Sequence, residues 1–182
     1  MKYILLILLY TIGLQLQAQT IIPLEQQANY TSSQDGYNYY YKDVNEVLNK
    51  YLGKWKYQKD AEIVEISIFK DTNHNFGNYH KDQLYIQFKY TKSGLVIINT
   101  LNTSNNNYLI SGGRFKNEDS INQIHLLYVE PGQTEGNRQW LDLEYQQTLT
   151  GPKLHWIAKY EVLTSETVPP KMPLDMVFIK QP

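Results

Sequence analysis

The sequence predicts an all-β protein: an antiparallel up-and-down barrel of about eight or nine strands with one short N-terminal helix. Apolar and polar residues alternate along most of the chain, which is the pattern of half-buried strands. Short turn signals separate these runs, so hairpins join neighbouring strands. No helical pattern of about 10–15 residues lies between the strands, which argues against a parallel α/β sheet.

The first 18 residues have the layout of a secretory signal peptide. One positive charge at Lys2 precedes an unbroken apolar run from Ile4 to Leu9, and the small residue Ala18 follows. The run is shorter than the roughly 20 apolar residues that a membrane-spanning helix needs. We therefore expect a signal peptide over residues 1–18, no membrane span after cleavage, and export to the periplasm or the extracellular space. The alternative is an uncleaved amphipathic anchor.

Residues 19–42 are polar and rich in tyrosine, and they predict an N-terminal arm leading into a barrel domain of residues 43–182. A short helix is expected at the start of that domain, with Asp43 as its cap and Glu46 completing a capping box. Gly53 follows as a stop signal. The apolar residues between them share one helical face: Val44, Val47, Leu48, Tyr51 and Leu52.

Alternating stretches occupy most of the remaining chain. They run over residues 63–69, 84–90, 95–101, 108–115, 121–129, 140–145, 154–162 and 174–179. Most gaps are hairpin-sized, which favours an up-and-down barrel over a two-sheet sandwich, whose chain crosses between sheets through longer connections. The sandwich stays open as the alternative fold.

Composition excludes several classes of function. The chain has 182 residues, a formal net charge of −1 and no cysteine. A near-neutral charge argues against a nucleic-acid partner, which needs a basic surface. The missing cysteines exclude a disulfide scaffold, a thiolate metal site and a cysteine nucleophile. We expect a single domain that is a monomer.

One short motif bears on the fold more closely. Gly53-Lys54-Trp55 follows the predicted helix and begins the first barrel strand. It resembles the Gly-x-Trp signature of lipocalin-like (calycin) barrels. The resemblance implies that Trp55 packs across the closed end of the barrel beside an N-terminal helical turn. It also implies an arginine that seals the barrel base, and Arg114 and Arg138 are both candidates.

The whole mature chain resembles a family of small secreted bacterial proteins known only as a domain of unknown function. The resemblance implies a lipocalin-like barrel and export, and it implies no activity. The segments that carry it, in chain order, are Gln19 to Leu24, Tyr41 to Tyr57, Gly77-Asn78-Tyr79, Ile98 to Leu101, Lys153 to Trp156, Pro173-Leu174 and Ile179-Lys180-Gln181.

Catalytic chemistry is not predicted. The histidines form no pair at the helical spacing of a His-Glu-x-x-His metal motif, and His74 and His80, which flank a predicted hairpin turn, are more simply interpreted as polar turn residues than as a surface metal site. Asp142 and Glu144 share one face of a strand, as paired glycosidase carboxylates would, yet a solvated outer face is the simpler interpretation. Gly112-Gly113 indicates a strand bulge rather than a ligand cradle. We therefore predict no catalytic residues, no metal site and no cofactor, and we do not expect an enzyme.

Aromatic side chains supply the candidate binding residues. Those expected to face the barrel interior, and to line a pocket there, are Trp55, Phe88, Trp156, Tyr160 and Phe178. The tyrosines of the arm form a candidate contact surface: Tyr37, Tyr39, Tyr40 and Tyr41.

Two functions follow, because a barrel of about eight strands either fills with side chains or holds one small ligand. The first is a secreted lipocalin-like protein that binds a small apolar ligand inside the barrel. The alternative is a non-enzymatic interaction or structural protein with a filled barrel. It acts on an unidentified protein or glycan partner through its surface or its arm.

Overall fold

The structure, a computed structural model, describes residues 19–30, 39–101, 109–129, 138–160 and 171–182. Within these ranges two 3-10 helices, Leu24–Asn29 and Asn49–Tyr51, accompany the strands. The strands are β1 (Thr20–Pro23), β2 (Tyr39–Lys42), β3 (Gly53–Lys59), β4 (Glu62–Asn75), β5 (Tyr79–Lys92), β6 (Leu95–Asn99), β7 (Ile110–Phe115), β8 (Gln123–Val129), β9 (Arg138–Thr148), β10 (Gly151–Tyr160) and β11 (Asp175–Lys180). The predicted all-β fold class is confirmed.

Eight of these strands close into one antiparallel barrel. The order around it is β5, β4, β3, β11, β10, β9, β8 and β7, and β7 then pairs with β5 to complete the circle. Each strand pairs with its sequence neighbour, apart from the closing pair and the contact of β11 with β3. The up-and-down barrel is therefore confirmed over the sandwich.

Strand β5 is long enough to serve three partners along one edge. Its first residues pair with β2 at Tyr79–Lys81, its middle with β7 at Leu84–Ile86, and its end with β6 at Lys89–Lys92. The other edge pairs with β4 along nearly its whole length. The junction between the β2 and β7 partners places Lys81 beside the start of the barrel wall.

Part of the predicted arm lies in the sheet. Strand β1 pairs with β2 in parallel, and β2 pairs in parallel with the start of β5. The 3-10 helix between β1 and β2 packs against β7. The sequence shows no clear alternation here because these strands are only four residues long.

The helix expected from Asp43 to Leu52 is reduced to turns followed by the 3-10 helix Asn49–Tyr51. Glu46 adopts a φ of 54°, a left-handed conformation that interrupts an α-helix. The Asp43 carboxylate accepts hydrogen bonds from the Leu48 amide at 3.4 Å rather than from the position a cap would serve. The apolar face is still used, since Leu48 and Tyr51 are buried.

The core lies inside the barrel, where the alternation predicted it. Along β8, Ile124, Leu126 and Tyr128 are buried, and the residues between them are half-buried on the outer face. Over the described ranges, no helix is both long and apolar enough to cross a membrane.

Candidate functional site

Four of the five residues predicted to line the barrel interior are in the core. Trp55, Phe88, Trp156 and Phe178 are each at most 1% exposed. The indole Nε1 of Trp55 donates a 2.9 Å hydrogen bond to the carbonyl oxygen of Tyr51, which ties the first barrel strand to the 3-10 helix before it. The side chain of Tyr160 lies outside the described residues.

A chain of aromatic rings runs through the interior. Phe88 meets Tyr128 edge-on at 5.8 Å between ring centroids, and Tyr128 meets Trp156 in the same way at 6.2 Å. Trp156 then contacts Phe178 at 6.0 Å, and Phe178 contacts Tyr57 at 6.0 Å. Such centroid distances are those of rings in direct contact. The rings therefore pack on one another across the barrel, in the region where a ligand would lie.

Two polar groups remain unpaired inside this apolar region. The indole Nε1 of Trp156 and both amide atoms of Gln139 are buried and have no hydrogen-bond partner among the described residues. Gln139 is 1% exposed and lies opposite Tyr128 in the β8–β9 register. A buried polar group without a partner is costly, and such groups usually bond a water molecule or a ligand atom.

The arm tyrosines pack on each other more than they face solvent. The ring of Tyr41 contacts those of Tyr30, Tyr39 and Tyr79 at centroid distances of 6.2, 6.2 and 5.6 Å. Tyr41 is 1% exposed, so its expected place on a contact surface is wrong: the neighbouring tyrosine rings cover it. Tyr39 is half-buried, and Tyr37 lies outside the described residues.

The fourth arm tyrosine, Tyr40, belongs to a polar network at one end of the barrel. Its hydroxyl donates a 2.6 Å hydrogen bond to Asp82, and burial together with this bond raises the pKa of Tyr40 to about 12. Asp82 also accepts the backbone amides of Asp43 and Asn73 at 2.9 Å. The buried Asp43 carboxylate is paired with Lys70 at 2.6 Å. These groups satisfy one another and join the arm to the barrel.

A pocket of about 430 Å³ lies on the outside of the barrel, where β5, β7, β8 and β9 meet. We call it the outer-wall pocket. Its side chains include four basic groups and one large aromatic ring, and no described lining residue is acidic. The residues that line it are Lys81, Ser111, Gly112, Gly113, Arg114, Phe115, Lys116, His125, Leu126, Leu127 and Trp140.

Lys81 is the unusual member of the outer-wall pocket. It is only 6% exposed. Burial, and after it the charge of Arg114, lowers the pKa of Lys81 to about 7. Within the described ranges, its ammonium group has no carboxylate within salt-bridge distance and no hydrogen-bond partner. A buried lysine normally has a counter-charge.

A glycine-containing bulge shapes the floor of the pocket. The β7–β8 register shifts between Gly112 and Arg114, which confirms the predicted bulge and places Arg114 opposite His125. Gly112 has a φ of 138°, and a Cβ there would lie 3.2 Å from the Cα of Leu126. Only glycine adopts this backbone without strain and allows the two strands to approach so closely.

The outer face of β9 forms another wall of the outer-wall pocket. The ring of Trp140 is 50% exposed. Asp142 is buried and bonds the Nδ1 atom of His125, and it also accepts a 3.2 Å bond from Lys159. Asp142 thus orients His125 in the pocket wall. Glu144 lies 3.9 Å from His155 instead, so the two carboxylates serve separate histidines rather than one reaction centre.

Sequence reasoning missed the outer-wall pocket. The Gly112-Gly113 pair was its only visible signal, and the interpretation as a bulge was correct but incomplete.

Arg114 is exposed on the outer wall, so it does not seal the barrel base, and the side chain of Arg138 lies outside the described residues. A second pocket, of about 320 Å³, lies beside β3 and β4 near Lys54 and Glu65.

A metal centre has no support in the described part of the chain. No group of three or more histidine, aspartate or glutamate side chains there is placed to hold an ion.

The comparisons with known proteins show a family and nothing beyond it. No curated protein matches this chain, and no solved structure matches it. The family model described as a family of unknown function, DUF6705, matches residues 1–181. Because that match spans almost the entire sequence, the chain belongs to the family of unknown function DUF6705.

Proposed function

We propose that this chain is an exported, non-enzymatic binding protein of lipocalin-like architecture. The packed barrel is its scaffold, and recognition takes place on the outer surface. The observation that carries this proposal is the chain of interior rings from Phe88 to Phe178, each in contact with the next. An eight-stranded barrel has room either for its own side chains or for one small ligand.

Export rests on the first 18 residues, whose charge and apolar run are typical of a bacterial signal peptide. The mature protein would then act as a monomer in the periplasm or the extracellular space. The absence of an enzymatic role is supported by the way the carboxylates are used. Asp43 pairs with Lys70, and Asp142 pairs with His125 and Lys159, so both buried carboxylates are held in ion pairs.

One observation favours the second candidate, a small and largely apolar ligand held inside the barrel. The amide of Gln139 and the Nε1 atom of Trp156 are buried without partners, next to the ring of Tyr128. A ligand that offers one polar group to these atoms and apolar atoms to the rings would satisfy both. An ordered water molecule would serve the same purpose in the packed barrel.

Native mass spectrometry of the protein purified from its own host distinguishes the two candidates. The packed barrel predicts the mass of the polypeptide alone. The interior site predicts a retained small molecule that is lost from Gln139→Leu, which replaces the unpaired amide with an apolar group of similar size. Gln146→Leu, an exposed change on the same strand, is the matched control. A retained molecule that only Gln139→Leu loses would overturn the packed-barrel proposal.

A further inference from the structure

We propose that the outer-wall pocket binds a small organic anion, with its carboxylate, sulfate or phosphate group held by Lys81 and Arg114 and its apolar ring on Trp140. The proposal rests on the proposed function in one respect only, namely that recognition takes place outside the barrel. It names the ligand class and the residues that the proposed function leaves open.

The first step of the argument is the state of Lys81. The side chain is more than nine-tenths buried, lines the pocket and has no counter-charge among the described residues. An ammonium group in that position loses hydration without gaining a partner, which is unfavourable. Its lowered pKa reflects that cost. An anion in the pocket would supply the missing partner.

The second step is the charge of the surroundings. Arg114 from β7, Lys116 directly after that strand and His125 from β8 line the same pocket as Lys81 from β5. Basic groups brought together without an acidic residue raise the local positive potential and favour an anion. Asp142 offsets His125 and Lys159, with which it is paired, and this leaves Lys81, Arg114 and Lys116 as the positive charges of the pocket.

The third step is the apolar part of the ligand. Trp140 exposes half of its surface on the pocket wall, and Leu127 lies opposite it in the β8–β9 register. An indole face in an open pocket suits a flat ring. The pocket volume of about 430 Å³ lies within the range of small-molecule sites, roughly 300–1,000 Å³. The site is thus sized for a small organic anion rather than for a polyanion surface.

Isothermal titration calorimetry tests this site with four probes: inorganic phosphate, phenyl phosphate, benzoate and benzyl alcohol. Lys81→Met removes the buried charge and keeps the length of the side chain. Arg114→Met is an exposed change that preserves the fold if the buried substitution does not. Lys89→Met is the matched control, because it removes the same charge from the same strand outside the pocket.

The expected result is saturable binding of phenyl phosphate and benzoate, weaker binding of inorganic phosphate, and none of benzyl alcohol. Lys81→Met and Arg114→Met should each weaken phenyl phosphate binding by about tenfold or more, as loss of a charge-assisted hydrogen bond does. Lys89→Met should stay within about twofold, because exposed and distant charges are screened.

Proton uptake on ligand binding distinguishes direct anion binding by Lys81 from a purely structural role of this residue, which would cause no uptake. At about pH 8 an anion should draw a proton onto Lys81, and titration in buffers of different ionisation enthalpy measures that uptake. His74 of β4 and Tyr41 of β2 flank Lys81 in register, and Arg114, Lys116 and His125 face it in the pocket. Uptake that Lys81→Met abolishes assigns the proton to Lys81.

Several results would overturn the proposal. These are no saturable binding of any anion, equal binding by wild type and Lys81→Met, equal losses in Lys81→Met and Lys89→Met, or a preference for a DNA oligonucleotide over every small anion. Equal affinity for inorganic and phenyl phosphate would overturn the role of Trp140. If Gln139→Leu lost phenyl phosphate binding and Lys81→Met retained it, the ligand would lie inside the barrel, and both proposals would be overturned. No binding at all overturns the anion site alone.

Discussion

The barrel interior and the outer-wall pocket lie on the two faces of the same strands, and each contains polar groups that lack partners. Inside, the unpaired groups are the neutral Gln139 amide and the Trp156 indole, enclosed by aromatic rings. Outside, Lys81 is a buried basic group that has no counter-charge among the described residues, beside an open pocket. The difference indicates that the interior is built for packing, whereas the outer wall retains an unsatisfied charge at a place that a ligand can reach.

The sharpest test of this comparison uses tryptophan, which occurs both in the interior and on the outer wall. Trp156→Ala should destabilise the protein by about 3–5 kcal/mol, because it removes the ring at the centre of the packed interior. Trp140→Ala should cost less than about 1 kcal/mol, because half of that ring already faces solvent. Guanidinium unfolding followed by circular dichroism measures both. Similar losses from the two substitutions would show that the interior is not the more tightly packed region.

Two lysines extend the comparison to buried charge. Lys70→Met should destabilise by about 2–3 kcal/mol, because among the described groups it leaves the fully buried Asp43 carboxylate with only the long, 3.4 Å hydrogen bonds of the Leu48 amide. Lys92→Met is the control: it breaks an exposed pair with Glu62 and should cost at most about 0.5 kcal/mol. Urea unfolding measures the difference. If Lys70→Met were as mild as Lys92→Met, the polar network would not secure that end of the barrel.

The bulge beneath the pocket gives a smaller effect. Gly112→Ala should cost about 2 kcal/mol, since it adds a close contact with the Leu126 backbone to the strain of a positive φ. Gly151→Ala should cost about 1 kcal/mol, because that glycine also has a positive φ but nothing within 4 Å of the added atom. Thermal unfolding compares the two variants. A smaller loss at Gly112 than at Gly151 would mean that the bulge is not fixed by this close approach.

Much of the barrel could be predicted from the sequence, because alternation with a period of two is a local property of each strand. Phe88, Trp156 and Phe178 were placed inside on that basis, and they are buried. The short strands of the arm were missed because four residues are too few to show a period. The predicted helix at Asp43 failed because tertiary contacts redirect its cap toward Lys70.

The outer-wall pocket could not be predicted, because it depends on which residues the closing strand pair brings together. Lys81 and Arg114 are 33 positions apart in the chain and meet only where β7 closes on β5. Lys81 also pairs with Tyr41 of the arm strand β2. The pairing of β2 with β5 was not visible in the sequence. Burial of a single lysine leaves no mark on hydropathy patterns, so only the structure distinguishes Lys81 from the other lysines of the chain.

In the outer-wall pocket, unlike in the barrel interior, we expect a substitution to increase the free energy of unfolding. Lys81→Met should stabilise the protein without ligand by about 1 kcal/mol near pH 6, because it removes a buried charge that has no partner. Burial and Arg114 lower the Lys81 pKa from its ordinary 10.5 to about 7. Below pH 7 Lys81 is protonated in both the folded and the unfolded chain, so the folded protein bears the full free-energy cost of burying its charge.

Above pH 7 the folded chain releases this proton first, so the wild type gains stability relative to the variant as the pH rises toward 10.5. The advantage of Lys81→Met should therefore shrink and then reverse between pH 6 and pH 9, and urea unfolding of both proteins at pH 6, 7.5 and 9 measures it. A variant less stable than the wild type at pH 6 would mean that Lys81 already has its counter-charge, and the outer wall would then be as satisfied as the polar network around Asp43.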